Sequence, residues 1–335
     1  MELRNVNKIV LASALITVTV GVGLARLPAF RLSTNPTGDA RISEALRAGA
    51  RTGHHHLAAF VLVDGDVCFG GLGADETSEF EIGSITKVFN GELLDQAVER
   101  DELTYSTTVA EILGERAEGS MLADVTLLEL ATHTSGLPRL GKQKPRNILA
   151  ALIGRNPDVG QTRDFVIDSA LSARLKDRGK ENYSNLGHAF LGQLLAESAG
   201  VSYAELIQRD IFTPLGMTDS YVALPGTVGP DAPRGVGGFG LPVQPWESDG
   251  PAPAGAIRST PRDMVKFAQA IVDKQTPNPV WALNDDYFWH NGSTFGFADE
   301  LRIYPERRAA IYAAGDTCAE INTVIEALQQ SVWHE

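Results

Sequence analysis

The chain has 335 residues, 43% hydrophobic and 21% charged, enough for a packed core in one large domain or two ordinary ones. Its formal net charge is −13 and no run of five or six Lys or Arg occurs, which argues against a phosphate-tracking surface and against nucleic acid as a partner. Only Cys68 and Cys318 are present, too few for a disulfide framework or a zinc site; a pairing of the two and a pair of separate apolar thiols both fit.

At the start, Arg4 and Lys8 precede an uncharged run from Ile9 to Ala25, and Arg26 follows at once. This is the layout of an export signal, with Gly23 and Ala25 as small residues before a cut, and a retained membrane anchor fits as well. Residues 1–31 are therefore expected to act as a leader, and residues 32–335 to work outside the cytoplasm. Two apolar runs around Asp64 and Gly65 predict a hairpin between His56 and Gly73. Ile85, Val88, Phe89, Leu93, Ala97 and Val98 share a face at 3.6 spacing, which predicts a helix from about Ser84 to Arg100.

Further helices are expected within residues 122–133, 163–177, 185–200 and 202–217. Residues 225–256, dense in Gly and Pro, read as a long loop. A helix opened by Pro261 and capped by Thr260 follows, and the end of the chain holds two strands around Pro305 to Arg308 and a closing helix from about Ala319 to Val332. Strands at both ends with helices between predict an α+β fold: an antiparallel sheet of about five strands with helices on its faces, plus a mostly helical insertion over about 101–250.

Residues 84–87 read SITK. Residues at i and i+3 share a helix face, so the amine of Lys87 can lie beside the hydroxyl of Ser84 and, once desolvated, accept its proton. At the first turn, free backbone N–H groups also stabilise developing negative charge. Alone, so short a pattern is more often a capping serine with a solvated lysine. Two further groups follow it in order: Tyr183-Ser184-Asn185 ahead of an apolar helix, and His290-Asn291-Gly292 ahead of the C-terminal strands.

This ordered set of SxxK, YxN and HxG resembles serine β-lactamases and penicillin-binding proteins, and within them the class C β-lactamase branch with its D-alanyl carboxypeptidases, aminopeptidases and esterases. Residues 127–138, 214–220 and 253–267 resemble the same family, so the likeness covers about 55–330. It implies an acyl-enzyme on Ser84, a proton relay shared by Lys87 and Tyr183, a substrate amide held by Asn185, and an oxyanion hole from the backbone N–H groups of Ser84 and Ser293. Gly292 is expected to leave room for substrate along the strand. The branch usually carries lysine where this chain has His290; histidine is only partly charged near neutrality, which favours carboxypeptidase or esterase chemistry over efficient lactam hydrolysis. The implied substrate is a cell-wall peptide, an ester or a β-lactam. A catalytically silent envelope protein of the same fold, binding cell-wall peptides, is the alternative.

Other signals carry less. Gly235 to Gly240 matches GxGxxG, yet Pro233 and Pro242 flank it where a strand and a helix are needed, so it reads as a loop and no cofactor is expected. His54 to His56 have no second ligand cluster at suitable spacing, and His55 and His56 should point to opposite sides of an incoming strand, so no metal is expected. His133 reads as a structural hydrogen-bonder, and no GxSxG elbow for a Ser-His-Asp hydrolase exists.

Overall fold

The computed structural model describes residues 31–142, 145–152, 154–237 and 240–333. The leader call on residues 1–31 lies almost wholly outside them; among the described residues no helix is long and apolar enough to cross a membrane.

Among the described residues, ten strands form two antiparallel sheets: β1 (Pro36–Gly38), β2 (Leu57–Val63), β3 (Asp66–Leu72), β4 (Phe80–Glu81), β5 (Tyr221–Val222), β6 (Ile257–Ser259), β7 (Ala282–Leu283), β8 (Phe288–Ser293), β9 (Ala298–Tyr304) and β10 (Ala309–Gly315). The large sheet runs β1-β3-β2-β10-β9-β8-β7 and the small one β4-β6-β5. Four of the five long strands, β2, β3, β9 and β10, are those the sequence announces; β8, which holds His290 to Gly292, is the fifth, and the edges β1 and β7 bring the sheet to seven strands where about five were expected. The hairpin expected around Asp64 and Gly65 is β2–β3, and it pairs across β2 with β10 from the far end of the chain.

Alternation along β2 sends Leu57, Ala59 and Val61 to one face and Ala58, Phe60 and Leu62 to the other, and both faces are buried. The first face is covered by helices Ala40–Gly49 and Asn322–Trp333. The second meets helix Pro261–Lys274 and the core around helix Thr86–Glu99, beyond which lies Asn185–Ser198. Thr260 caps Pro261–Lys274 and Pro261 opens it, as expected.

The Thr86–Glu99 helix departs from a one-sided reading. Its polar residues Asn90, Glu92 and Asp95 are buried too, because segments distant in sequence supply their partners. Tyr203 Oη donates to Asn90 Oδ1 at 2.7 Å, and Lys274 Nζ donates to Glu92 and Asp95 carboxylates at 3.1 and 2.6 Å.

Three smaller expectations change. Cys68 is half-buried and Cys318 exposed, both free thiols, so they do not pair. His55 and His56 do not point apart: β2 begins only at Leu57, and their rings stack with centroids 3.8 Å apart. The glycine-rich loop is pinned where it is described. Val236 bridges both Pro242 and Thr317, and a Cβ on Gly235 would fall 2.2 Å from the carbonyl oxygen of Gly296.

Candidate active site

Ser84 occupies a short 3-10 turn, Gly83–Ile85, that runs directly into the Thr86–Glu99 helix. Lys87 thus lies at the positive end of that helix, where a protonated amine is disfavoured. It is also fully buried. Burial pushes the Lys87 amine below its ordinary range, opposed by Tyr183 and aided by the positive charge of Arg139. Its Nζ donates to Ser84 Oγ at 2.9 Å and to the carbonyl of Ala254. The lysine at an unfavourable helix end is therefore spent inside the protein, against the serine.

Tyr183 arrives from another part of the chain. Ser184 caps the Asn185–Ser198 helix, accepting the Gly187 N–H at 2.9 Å while its own hydroxyl donates to Pro138 O at 2.7 Å. Held one residue before that cap, Tyr183 donates from Oη to Ser84 Oγ at 2.7 Å, and Lys87 Nζ lies 5.1 Å from its ring centroid. The Lys87 amine and the Tyr183 phenol therefore meet on one oxygen, although 99 residues separate Ser84 from Tyr183.

Asn185 lies beside them with its N–H donated to Arg139 O at 2.9 Å, and its buried Oδ1 has no partner. That acceptor can take an incoming N–H.

Strand β8 closes the other side. A Cβ on Gly83, whose φ is +46°, would lie 2.6 Å from the Ser293 nitrogen, so the backbones on either side of the site touch. Gly292 is a glycine for a different reason from the one expected. Its Cβ would lie 2.1 Å from Ile82 O and 2.3 Å from Asp299 Oδ1, so the missing side chain seats β8 against the backbone leading into Ser84. Gly292→Ala should force β8 outward, lowering stability by about 1–3 kcal/mol and turnover by about 100-fold as the Ser293 N–H moves away. Thermal unfolding and kcat/KM on the same preparation check both.

His290 is buried on β8, with Nδ1 2.7 Å from Asn291 O. Burial, helped by the Lys87 charge, holds its pKa down to about 4. The ring is thus neutral at neutral pH, where the sequence suggests partial charge. An unfolded histidine takes its proton near 6.5, so the stability gained by keeping His290 neutral is whole above pH 6.5 and lost as pH falls toward about 4. Urea unfolding of wild type and His290→Asn should diverge by about 1.4 kcal/mol per pH unit across that window, against wild type on acidification.

Three residues around the site escape motif reading. His133 accepts the Ser184 N–H on Nδ1 at 3.0 Å, and its ring lies 4.5 Å from that of Tyr183, which makes it a brace for the phenol, as its structural reading implied. Arg139 is exposed and its guanidinium sits 5.1 Å from the Tyr183 ring centroid, a cation at the mouth of the site. Asn90, one turn after Lys87, donates to Pro253 O at 2.8 Å and so fixes the segment whose next carbonyl holds the lysine. A polar residue inside the apolar run VFNGELL was the only available signal for it.

The Beta-lactamase family model matches residues 40–314. This chain belongs to the Beta-lactamase family, whose members are serine hydrolases. A penicillin-binding protein 4 of Amycolatopsis lactamdurans is 30% identical over 245 residues, 67% of this chain and 61% of the relative. A D-alanyl-D-alanine-carboxypeptidase/endopeptidase AmpH of Escherichia coli (strain K12) is 29% identical over 197 residues, 57% of this chain and 48% of its own length. The chain thus spans about half to two thirds of the length of the curated relatives it matches. Among solved structures, a β-lactamase/D-alanine carboxypeptidase from Pseudomonas syringae superposes with TM-score 0.73 at 17% identity, covering 88% of this chain and 99% of that one. One from Yersinia pestis gives 0.70 at 21%, covering 87% and 95%. At such identities the likeness is one of fold.

Proposed function

We propose that this protein is an extracytoplasmic serine hydrolase that forms an acyl-enzyme on Ser84 with amide, ester or lactam substrates, of D-alanyl carboxypeptidase or esterase type and a poor β-lactamase. One observation carries the reading: Ser84 Oγ accepts hydrogen bonds from both Lys87 Nζ, at 2.9 Å, and Tyr183 Oη, at 2.7 Å. As Ser84 Oγ bonds to the substrate carbonyl carbon, its proton passes to the Lys87–Tyr183 pair, in which burial favours a neutral amine able to receive it. The carbonyl oxygen gains the charge, and the N–H groups of Ser84 and Ser293 at the junction of the helix start and β8 stabilise it. The same pair returns the proton to the departing amine or alcohol. Water then attacks the ester and regenerates the serine.

Substrate class follows from charge. With His290 uncharged near neutrality, β8 offers no cation at the position that in the branch helps seat the carboxylate of penicillins, which supports esterase or peptidase turnover over lactam hydrolysis. Asn185, with its unpartnered Oδ1, is suited to the N–H of an acylamido group.

The test is covalent labelling. A fluorophosphonate or a fluorescent penicillin should add one mass increment, mapped to the peptide holding Ser84, and a panel of esters, D-amino acid amides and nitrocefin should rank lactam turnover last. Labelling at another residue, or tight muropeptide binding with neither label nor turnover, would replace this reading with the silent binding protein.

A further inference from the structure

Away from the catalytic cluster, one set of side chains converges on a single oxygen. His55 Nδ1 and His56 Nδ1 lie 2.9 and 3.0 Å from Asp316 Oδ2. All three ligand atoms fall within 4.8 Å of one another. The sheet imposes this meeting. Leu57 at the start of β2 pairs with Gly315 at the end of β10, so His55–His56 and Asp316 leave neighbouring strands at the same end. The other carboxylate oxygen, Asp316 Oδ1, accepts the His56 N–H at 2.8 Å, and the Asp316 N–H returns to His56 O at 3.3 Å. The imidazoles, stacked with an interplanar angle of 29°, turn the same edge toward the carboxylate. Ligand atoms on residues that directly flank two paired strands, held by the His56–Asp316 hydrogen bonds, are positioned before any ion arrives.

We propose that His55, His56 and Asp316 form a binding site for one divalent first-row transition-metal ion. Two imidazoles and a carboxylate suit Ni²⁺, Co²⁺, Zn²⁺ or Fe²⁺, whereas Ca²⁺ and Mg²⁺ require oxygen ligands. At ligand distances of about 2.1 Å, an N and an O atom separated by 2.9 or 3.0 Å subtend about 90° at the ion, the angle of octahedral coordination. Side-chain exposures of 31, 38 and 14% for His55, His56 and Asp316 leave the remaining positions to water. On binding, the ion replaces the hydrogen bonds between each Nδ1 and Asp316, and both imidazoles coordinate through Nδ1 as neutral rings with the proton on Nε2: a singly protonated ring shifts its proton from Nδ1 to Nε2, and a doubly protonated ring releases one proton to solvent.

The site is also tied to the long loop over residues 225–256, the loop that carries Ala254. The Val236 N–H donates to Asp316 O at 2.8 Å, and Val236 bridges Thr317. An ion on Asp316 therefore fastens the point where the long loop over residues 225–256 is tied to the sheet.

Tag-free protein stripped with a chelator and dialysed against Ni²⁺ or Co²⁺ tests this directly. One equivalent should bind at micromolar free metal and raise the unfolding temperature by several degrees. His56→Ala and Asp316→Asn should each weaken binding at least tenfold; the asparagine keeps an acceptor for the His56 N–H and so preserves the turn. His54→Gln should leave affinity unchanged, since the His54 ring is engaged elsewhere, with Nε2 3.0 Å from Glu320 O. Absence of saturable binding to wild type, or equal affinity in a His55→Ala/His56→Ala variant, overturns the site. Neither result touches the assignment of Ser84.

Discussion

Ser84→Ala is expected to abolish covalent labelling and to lower hydrolysis of any responsive substrate by at least about 10⁴-fold, with Lys87→Met close behind and Tyr183→Phe losing about 10²–10⁴-fold. The geometry explains the ranking. In the proposed mechanism Ser84 supplies the bond-forming oxygen, for which nothing substitutes, while Lys87 and Tyr183 both hydrogen-bond that oxygen, so each variant keeps one partner on it. Groups that act as a unit are strongly non-additive, so Ser84→Ala/Lys87→Met should be no slower than Ser84→Ala alone. Lys87→Met should also fold, because methionine matches the lysine in length and removes an amine that burial already disfavours. Single-turnover acylation rates measure all four; Lys87→Met retaining rates within tenfold of wild type would remove the amine from the mechanism.

The largest effect on stability is expected at Arg258, on β6. It is fully buried, with ion pairs to Glu79 and to Glu81, the latter at 2.8 Å, and a hydrogen bond to Pro233 O at 2.8 Å. Glu81 in turn accepts the Trp246 N–H at 2.8 Å. Burial raises the Glu81 carboxyl and the Arg258 charge opposes that rise. Arg258→Met therefore strands a buried carboxylate three residues before Ser84 and frees the loop segment at Pro233. A loss of about 3–5 kcal/mol is expected from denaturant unfolding. Glu81→Gln combined with Arg258→Met should recover part of it, since the two charges then leave together.

What could be read from the chain alone was whatever is encoded locally. The β2–β3 hairpin, the Thr260–Pro261 helix start and the serine-lysine spacing all sit within a few residues of their own signals. The carbonyl of Ala254 that holds Lys87, the Arg258–Glu81 pair and the stacking of Arg139 on Tyr183 join segments that no local pattern connects. Edge strands of two or three residues, β1, β4, β5 and β7, are too short to show a period at all. Gly292 was singled out correctly as a position intolerant of a side chain, but the obstacle is the backbone at Ile82, which only the folded sheet brings there. His55 and His56 were misjudged because the strand starts one residue later than their spacing suggested.

Because β2, at residues 57–63, is flanked on one side by β10, at residues 309–315, the central sheet is incomplete until residue 315 has been synthesised. Ser84 and Lys87 leave the ribosome well over a hundred residues before the Ala254 carbonyl and the β8 backbone that confine them. Such long-range pairing makes folding slow and late. The nascent chain therefore carries a serine whose surroundings are completed only after β8 has emerged.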